Sequence, residues 1–175
     1  MCHGWGGRVV GFMLSDCKEY VGYDSSVNTN NGVIEIVDRF NKYVPEKQIS
    51  LYCECFEKSK ERENYYDLAF TSPPYFDVEK YDGEESSWKK YNNFELWKNK
   101  FYLVMIEKAY RQLKQNAYLI LQVGNQHYKL GEIAKNYCDK LKMKFVDARY
   151  SGMSKLFNAK KEDDNGEMIY VFRKN

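Results

Sequence analysis

The sequence has few of the residues that commonly hold metals or close disulfide frameworks. Its 175 residues include two histidines, His3 and His127, and an odd number of cysteines, five. Cys53 and Cys55 lie two apart in a predicted strand and would face the same way. A metal there would need about two further ligands, so we expect none. No secretory signal is recognisable, and we therefore expect reduced thiols in a cytoplasmic protein.

Long apolar runs and a strong charge of one sign are also absent. No apolar run approaches the ~20 residues that span a bilayer, so we expect no membrane association. The 27 basic and 25 acidic residues give a net charge of +2, which neither requires nor excludes a nucleic-acid partner. The chain lacks the Gly-Lys-Ser/Thr pattern of a P-loop. Aromatic residues, by contrast, make up 17% of the chain and offer rings that can stack on bases.

Apolar runs alternate with segments of helical periodicity. The spacing of apolar residues predicts helices over 8–15, 29–44, 94–113 and 130–142. Continuous apolar runs predict strands over 20–24, 49–56, 66–72, 117–124, 144–151 and 168–174. This order predicts an α/β fold with a mainly parallel sheet, helices on both faces and an antiparallel pair at one edge.

A glycine-rich turn, HGWGGR at residues 3–8, leads into the first predicted helix. Gly4, Gly6 and Gly7 allow the backbone to approach a ligand closely. The next predicted strand ends at Asp24, where a carboxylate can accept hydrogen bonds from ribose hydroxyls. The turn and the acid together indicate the nucleotide-binding half of a Rossmann-like fold.

The stretch FTSPPYF, residues 70–76, contains two of the three prolines. The predicted strand before it brings Ser72 to the carboxyl edge of the sheet, where ligands bind in such folds. Pro73 and Pro74 fix the backbone beyond that point, and Tyr75 adds an aromatic face. A flat substrate with an amino group fits this arrangement. Its ring would lie on Tyr75, and its N–H groups would donate to the Ser72 side chain and the Pro73 carbonyl.

The run TSPPY, residues 71–75, resembles the catalytic (D/N/S)-PP-(Y/F/W) motif of bacterial and phage DNA amino-methyltransferases. GWGGR is similar to their cofactor glycine motif, and YVGYD to the acidic strand that follows it. The resemblance implies a Rossmann-like methyltransferase fold, S-adenosylmethionine as cofactor and DNA as partner. It implies methyl transfer to the exocyclic amine of cytosine (N4) or adenine (N6), the serine form being more often associated with cytosine. The residues it implies are Ser72, Pro73, Pro74 and Tyr75 for catalysis, and Gly4, Gly6, Gly7, Asp24 and either Glu54 or Glu57 for the cofactor.

The sequence departs from this family at its amino end. The strand and the acidic residue that normally precede the glycines are missing, and Cys2 and His3 occupy that region. Three explanations are open: the sequence is part of a longer protein, another segment fills the gap, or the neighbouring strands pair directly. We accordingly expect a single catalytic domain over residues 1–175, truncated at its amino end.

A separate target-recognition domain is not recognisable. We therefore expect DNA to contact the polar loops 77–93 and 152–166, through Lys80, Lys89, Lys90, Lys155, Lys160 and Lys161. Two alternatives remain for the function. One is an inactive nucleic-acid-binding remnant of a methyltransferase, and the other is an enzyme that methylates amino groups of RNA or protein.

Overall fold

The structure, a computed structural model, describes residues 1–78, 80–81, 85–125, 127–151 and 167–175. The strands in this part of the chain are β1 (Glu19–Tyr23), β2 (Gln48–Tyr52), β3 (Tyr66–Thr71), β4 (Leu113–Gly124), β5 (Lys144–Tyr150) and β6 (Glu167–Arg173). The α-helices are α1 (Gly7–Met13), α2 (Val27–Phe40), α3 (Ser87–Lys90), α4 (Phe94–Trp97), α5 (Leu103–Gln112) and α6 (Leu130–Lys140). A π-helical turn, Lys98–Tyr102, joins α4 to α5, and 3-10 turns occur at Asn41–Tyr43 and Phe56–Lys58.

The order of strands predicted from the sequence is confirmed, but the predicted loop 77–93 contains α3, and the predicted helix 94–113 consists of α4, the π-helical turn and α5 and ends at Gln112. A further error lies at the end of β2. The predicted strand 49–56 stops at Tyr52, so Cys53 and Cys55 do not share a strand face. Cys53 is exposed, whereas Cys55 is buried. The apolar run continues to Phe56 because that ring enters the core, with its centroid 5.4 Å from the ring of Tyr23.

The strands form two sheets. In the smaller sheet β1 and β2 are parallel, and in the larger the order is β3-β4-β6-β5. β3 runs parallel to β4, while β6 is antiparallel to both of its neighbours. The predicted antiparallel pair at one edge is therefore confirmed by β5 and β6.

Residues 2–3 lie beside β1, in the region where a strand before the glycines was expected. Cys2 forms one parallel bridge with Tyr23, and the His3 N–H donates to the Tyr23 carbonyl at 2.8 Å. At the opposite ends of the strands, Glu19 accepts a hydrogen bond from the Tyr65 hydroxyl at 2.6 Å. Among the described residues β1 and β3 do not pair directly, and residues 2–3 contribute only a short bridge to β1.

The helices divide the core into two clusters. The larger cluster packs α4, the π-helical turn, α5 and α6 against the larger sheet, with fully buried Trp97, Tyr102 and Phe172. The smaller cluster packs α1 and α2 against β1 and β2 around Val9 and Val33. No helix in the described ranges is long and apolar enough to cross a membrane.

Tyr20 on β1 and Tyr66 on β3 are partly buried tyrosines. Burial raises the pKa of Tyr20 and of Tyr66 to about 12, against about 10 in an unfolded chain. The folded state holds these protons more tightly, so their contribution to stability is complete below about pH 10 and is lost as pH rises towards 12. We expect the urea midpoint of unfolding to fall over this range.

The variant Tyr20→Phe should reduce that pH dependence, because it removes one of the phenols whose pKa burial raises. Tyr43→Phe, at an exposed tyrosine, serves as the matched control and should leave the dependence unchanged. An identical pH dependence in wild type and Tyr20→Phe would contradict the prediction.

Candidate active site

A cavity opens at the carboxyl ends of β1, β2 and β3, the edge at which the sequence predicted a ligand. Each strand contributes the residues that directly follow it. The cavity-lining residues from these three segments are Asp24, Ser25 and Ser26 after β1, Glu54, Cys55, Phe56 and Glu57 after β2, and Ser72 and Pro74 after β3. The predicted cofactor region and the predicted catalytic turn therefore share one cavity.

The glycine turn is fixed to β1 by Asp24. One carboxylate oxygen accepts a hydrogen bond from the Gly4 N–H at 3.2 Å, and the other accepts from the Ser26 N–H at 3.1 Å. Gly4 lines the cavity and has a φ of 60°. Gly6, at φ 102°, packs against α2, where a Cβ would lie 2.6 Å from Ile36 Cδ1, and Gly7 begins α1. Of the three predicted glycines, Gly4 is thus the one at the cavity wall.

The residues of the proline turn have different environments: some line the cavity, and others are buried or contact β4 and β6. Ser72 and Pro74 line the cavity, while Pro73 is buried. The Tyr75 hydroxyl donates to Glu167 Oε1 at 3.1 Å, and its ring lies close to Gly124 at the end of β4. Glu167 also accepts from Gln122 Nε2 at 2.5 Å. Sequence reasoning missed Glu167, which the antiparallel β6 brings to this edge.

Phe76 anchors the proline turn in the core. Its φ of 43° lies in the left-handed region, which a bulky side chain rarely adopts. Its ring is nevertheless buried, with centroids of Phe94, Trp97 and Tyr128 at 6.1, 6.0 and 5.8 Å. This packing holds the backbone in a conformation that it would otherwise leave.

Acidic side chains also line the cavity. Glu54, Glu57 and Glu85 all line the cavity. Glu57 lies 3.4 Å from Lys90 Nζ, and Glu85 lies 2.7 Å from Lys58 Nζ. Glu54 forms no ion pair within the described residues. Burial, with the charge of Glu57 nearby, raises the pKa of Cys55 to about 11, so this thiol stays protonated at neutral pH and is a poor nucleophile.

Arg8 is the basic side chain that lines the cavity, and sequence reasoning gave it no role although it ends the quoted GWGGR motif. Its Nε is buried and has no hydrogen-bond partner among the described residues. The cavity thus combines several acids, a glycine turn and an unmatched guanidinium donor. A ligand with hydroxyl groups, positive charge and a carboxylate would satisfy all of them.

The predicted DNA-contacting lysines are only partly described. Lys80 and Lys89 lie with their Nζ atoms 5.7 and 5.5 Å from the centre of the Trp88 ring. Lys90 is engaged with Glu57, as given above. Lys155, Lys160 and Lys161 fall outside the described residues. Lys80, Trp88 and Lys89 thus form a small basic and aromatic surface beside the cavity residues Tyr81 and Glu85.

Comparison with known families identifies the chain. Residues 66–175, more than half of the sequence, match the N6_N4_Mtase family of DNA methylases. The chain belongs to this family. The matched region begins at β3 and includes the TSPPY run, whereas the glycine turn and Asp24 precede it. In sequence, no protein of curated function matches the chain.

Solved structures extend the likeness to the whole fold. The N-methyltransferase NodS from Bradyrhizobium japonicum superposes with a TM-score of 0.66 at 10% identity, over 99% of this chain and 82% of that one. A methyltransferase from Pyrococcus furiosus gives 0.63 at 14% identity, over 99% and 72%. An rRNA methylase from Streptococcus thermophilus gives 0.60 at 9% identity, over 98% and 82%.

The fold is therefore the Rossmann-like fold of S-adenosylmethionine-dependent methyltransferases. The family and the fold together identify S-adenosylmethionine as the cofactor. The residues at the cavity fit it, because this molecule carries hydroxyl groups, a sulfonium, an ammonium and a carboxylate.

The anchoring role of Phe76 can be tested by Phe76→Ala. We expect a loss of about 3–5 kcal/mol in the free energy of unfolding, typical of truncating a buried phenylalanine. Urea denaturation measures this loss. Phe40→Ala, at a phenylalanine with 45% of its surface exposed, is the matched control and should cost much less. Equal losses in the two variants would contradict the anchoring role.

Proposed function

We propose that this protein transfers a methyl group from S-adenosylmethionine to an exocyclic amino group of DNA, either N4 of cytosine or N6 of adenine. One observation carries the proposal: Ser72 and Pro74 line the same cavity as Gly4 and Asp24. The residues for an amino acceptor and those for a nucleotide-like cofactor thus share a single space. Membership of the DNA methylase family supports the nature of the acceptor.

The cofactor would be held at the carboxyl ends of β1 and β2. Gly4 permits close approach of the backbone, and the Asp24 carboxylate has lone pairs left for ribose hydroxyls after accepting from Gly4 and Ser26. Glu54, rather than the ion-paired Glu57, is the better partner for the adenine amine. When bound, the cofactor supplies a methyl group activated by its positively charged sulfur.

Ser72 and Pro73 act on the acceptor amine. An aromatic amine is a weak nucleophile because its lone pair is shared with the ring. The Ser72 side chain and the Pro73 carbonyl accept hydrogen bonds from the N–H groups of this amine. These hydrogen bonds favour a tetrahedral nitrogen and stabilise the positive charge that develops on it. The fixed proline backbone keeps both acceptors in position, which lowers the entropic cost of aligning the amine.

Tyr75 would stack on the target base after it leaves the duplex. The hydrogen bond from its hydroxyl to Glu167 restricts where the ring can lie. The serine at position 72 favours cytosine as the target, since this form of the motif is more often associated with N4 methylation.

The variant Ser72→Ala tests the role of the proposed acceptor. We expect kcat for methyl transfer to fall by about 10²- to 10³-fold, the usual effect of removing one such stabilising group. Affinity for S-adenosylmethionine, measured by calorimetry, should stay unchanged. The assay measures transfer of labelled methyl groups to two oligonucleotides, one with cytosine and the other with adenine as its only amino acceptor. It gives the rate and identifies the base.

Ser50→Ala, in the body of β2, is the matched control and should keep full activity. If the wild type methylates RNA or a protein but no DNA, the acceptor proposed here is wrong. If it binds DNA without transferring any methyl group, the inactive-remnant alternative replaces the proposal.

The surface formed by Lys80, Trp88 and Lys89 yields a separate prediction. If it contacts the DNA backbone, the double variant Lys80→Ala/Lys89→Ala should weaken DNA binding and reduce the salt dependence of log Kd by about 2 units of slope. Lys42→Ala is the matched control, because Lys42 likewise lies over an aromatic ring, that of Tyr43, but follows α2. Fluorescence anisotropy at several salt concentrations measures both effects, and an unchanged slope would contradict the prediction.

A further inference from the structure

Arg8 differs in charge from the cavity around it. It lies in the first turn of α1, and it is the only basic residue among the described cavity-lining residues, which include four acids: Asp24, Glu54, Glu57 and Glu85. A guanidinium is charged at every accessible pH. No carboxylate forms an ion pair with it within the described part of the chain. Arg8 therefore lines the cavity without an ion-pair partner among the described residues.

Two contacts hold the Arg8 side chain in this place. Its Cζ lies 5.5 Å from the centre of the Phe70 ring on β3, a cation–π arrangement. Its Nη1 lies 2.7 Å from the point that a Cβ on Gly4 would occupy, so the absence of a side chain at Gly4 makes room for it. The guanidinium is consequently positioned between the glycine turn and the strand that leads to Ser72.

The hydrogen-bonding capacity of Arg8 is also unmet. A guanidinium has five N–H donors, and the buried Nε of Arg8 has no partner among the described residues. A buried donor without a partner is unfavourable, and an acceptor that arrives with a ligand removes the penalty. Asp24, which is hydrogen-bonded to the glycine turn, already accepts from two backbone N–H groups.

We propose that Arg8 binds the α-carboxylate of S-adenosylmethionine. A planar guanidinium and a carboxylate form paired, charge-assisted hydrogen bonds, which would satisfy the unmet donor and give Arg8 an ion-pair partner. This places the amino-acid end of the cofactor at Gly4 and Arg8, and leaves Asp24 and Glu54 for its nucleoside end. The inference depends on the cofactor and not on which acceptor is methylated.

Calorimetric titration with two ligands tests the assignment: S-adenosylmethionine and its decarboxylated analogue, which differs by the loss of that carboxylate. The wild type should bind S-adenosylmethionine about 10- to 100-fold more tightly, the range for hydrogen bonds to a charged group. In Arg8→Ala this preference should be lost, with affinity for the decarboxylated analogue changed by less than about twofold. Arg8→Lys should retain part of the preference, because it keeps the positive charge but loses the planar guanidinium that forms two parallel hydrogen bonds.

Arg39→Ala, in the last turn of α2, is the matched control and should keep the wild-type preference. Circular dichroism of each variant verifies folding, and Arg8→Lys keeps the test decisive if Arg8→Ala does not fold. A preference retained in Arg8→Ala, or an equal loss of affinity for both ligands, would overturn the inference. A wild-type preference for S-adenosylmethionine that Arg8→Ala loses, without methyl transfer to DNA, would support the inference and count against the proposed function alone. Failure of the folded wild type to bind either ligand would overturn the inference together with the cofactor site.

Discussion

The burial of Phe76 among Phe94, Trp97 and Tyr128 is the interaction on which the site depends. The left-handed backbone at Phe76 costs about 1–3 kcal/mol, whereas burial of a phenylalanine ring is worth about 3–5 kcal/mol when measured by truncation. The burial therefore outweighs the strain. Two prolines stiffen the chain between Ser72 and Phe76, so fixing one end of the turn in the core also fixes the other end at the cavity.

Buried lysines hold the irregular segments in a similar way. Lys108 donates to the carbonyls of Glu57 and Ser59, and Lys174 donates to those of Tyr110 and Leu113. Burial lowers the pKa of both lysines, but each is surrounded by carbonyl oxygens that favour the protonated form. Lys108 in this way holds the 3-10 turn that carries Glu57 at the cavity.

The sequence was sufficient to predict the elements whose pattern is local. Strand β3 ends where Pro73 forbids its continuation, and the motif was therefore placed correctly at the carboxyl edge. The end of β2 was missed because an apolar run looks the same whether its last residue, Phe56, belongs to a strand or to a turn that enters the core.

Contacts between distant residues could not be predicted in this way. Tyr75 and Glu167 are 92 positions apart, and they meet only because β6 runs antiparallel to β4. Arg8 was visible in the quoted motif, but its role depends on the unmatched donors and charges of the folded cavity. A single sequence contains no local signal for either.

The division of the sheet has a consequence for how binding and rigidity are related. The cavity is lined by residues that follow β1 and β2 on one side and β3 on the other, while among the described residues no strand of the smaller sheet pairs with a strand of the larger one. A molecule bound in the cavity therefore contacts both sheets, which share little main-chain pairing. Because ligand binding and folding are linked equilibria, a cofactor bound against both sides of the cavity would raise the free energy of unfolding.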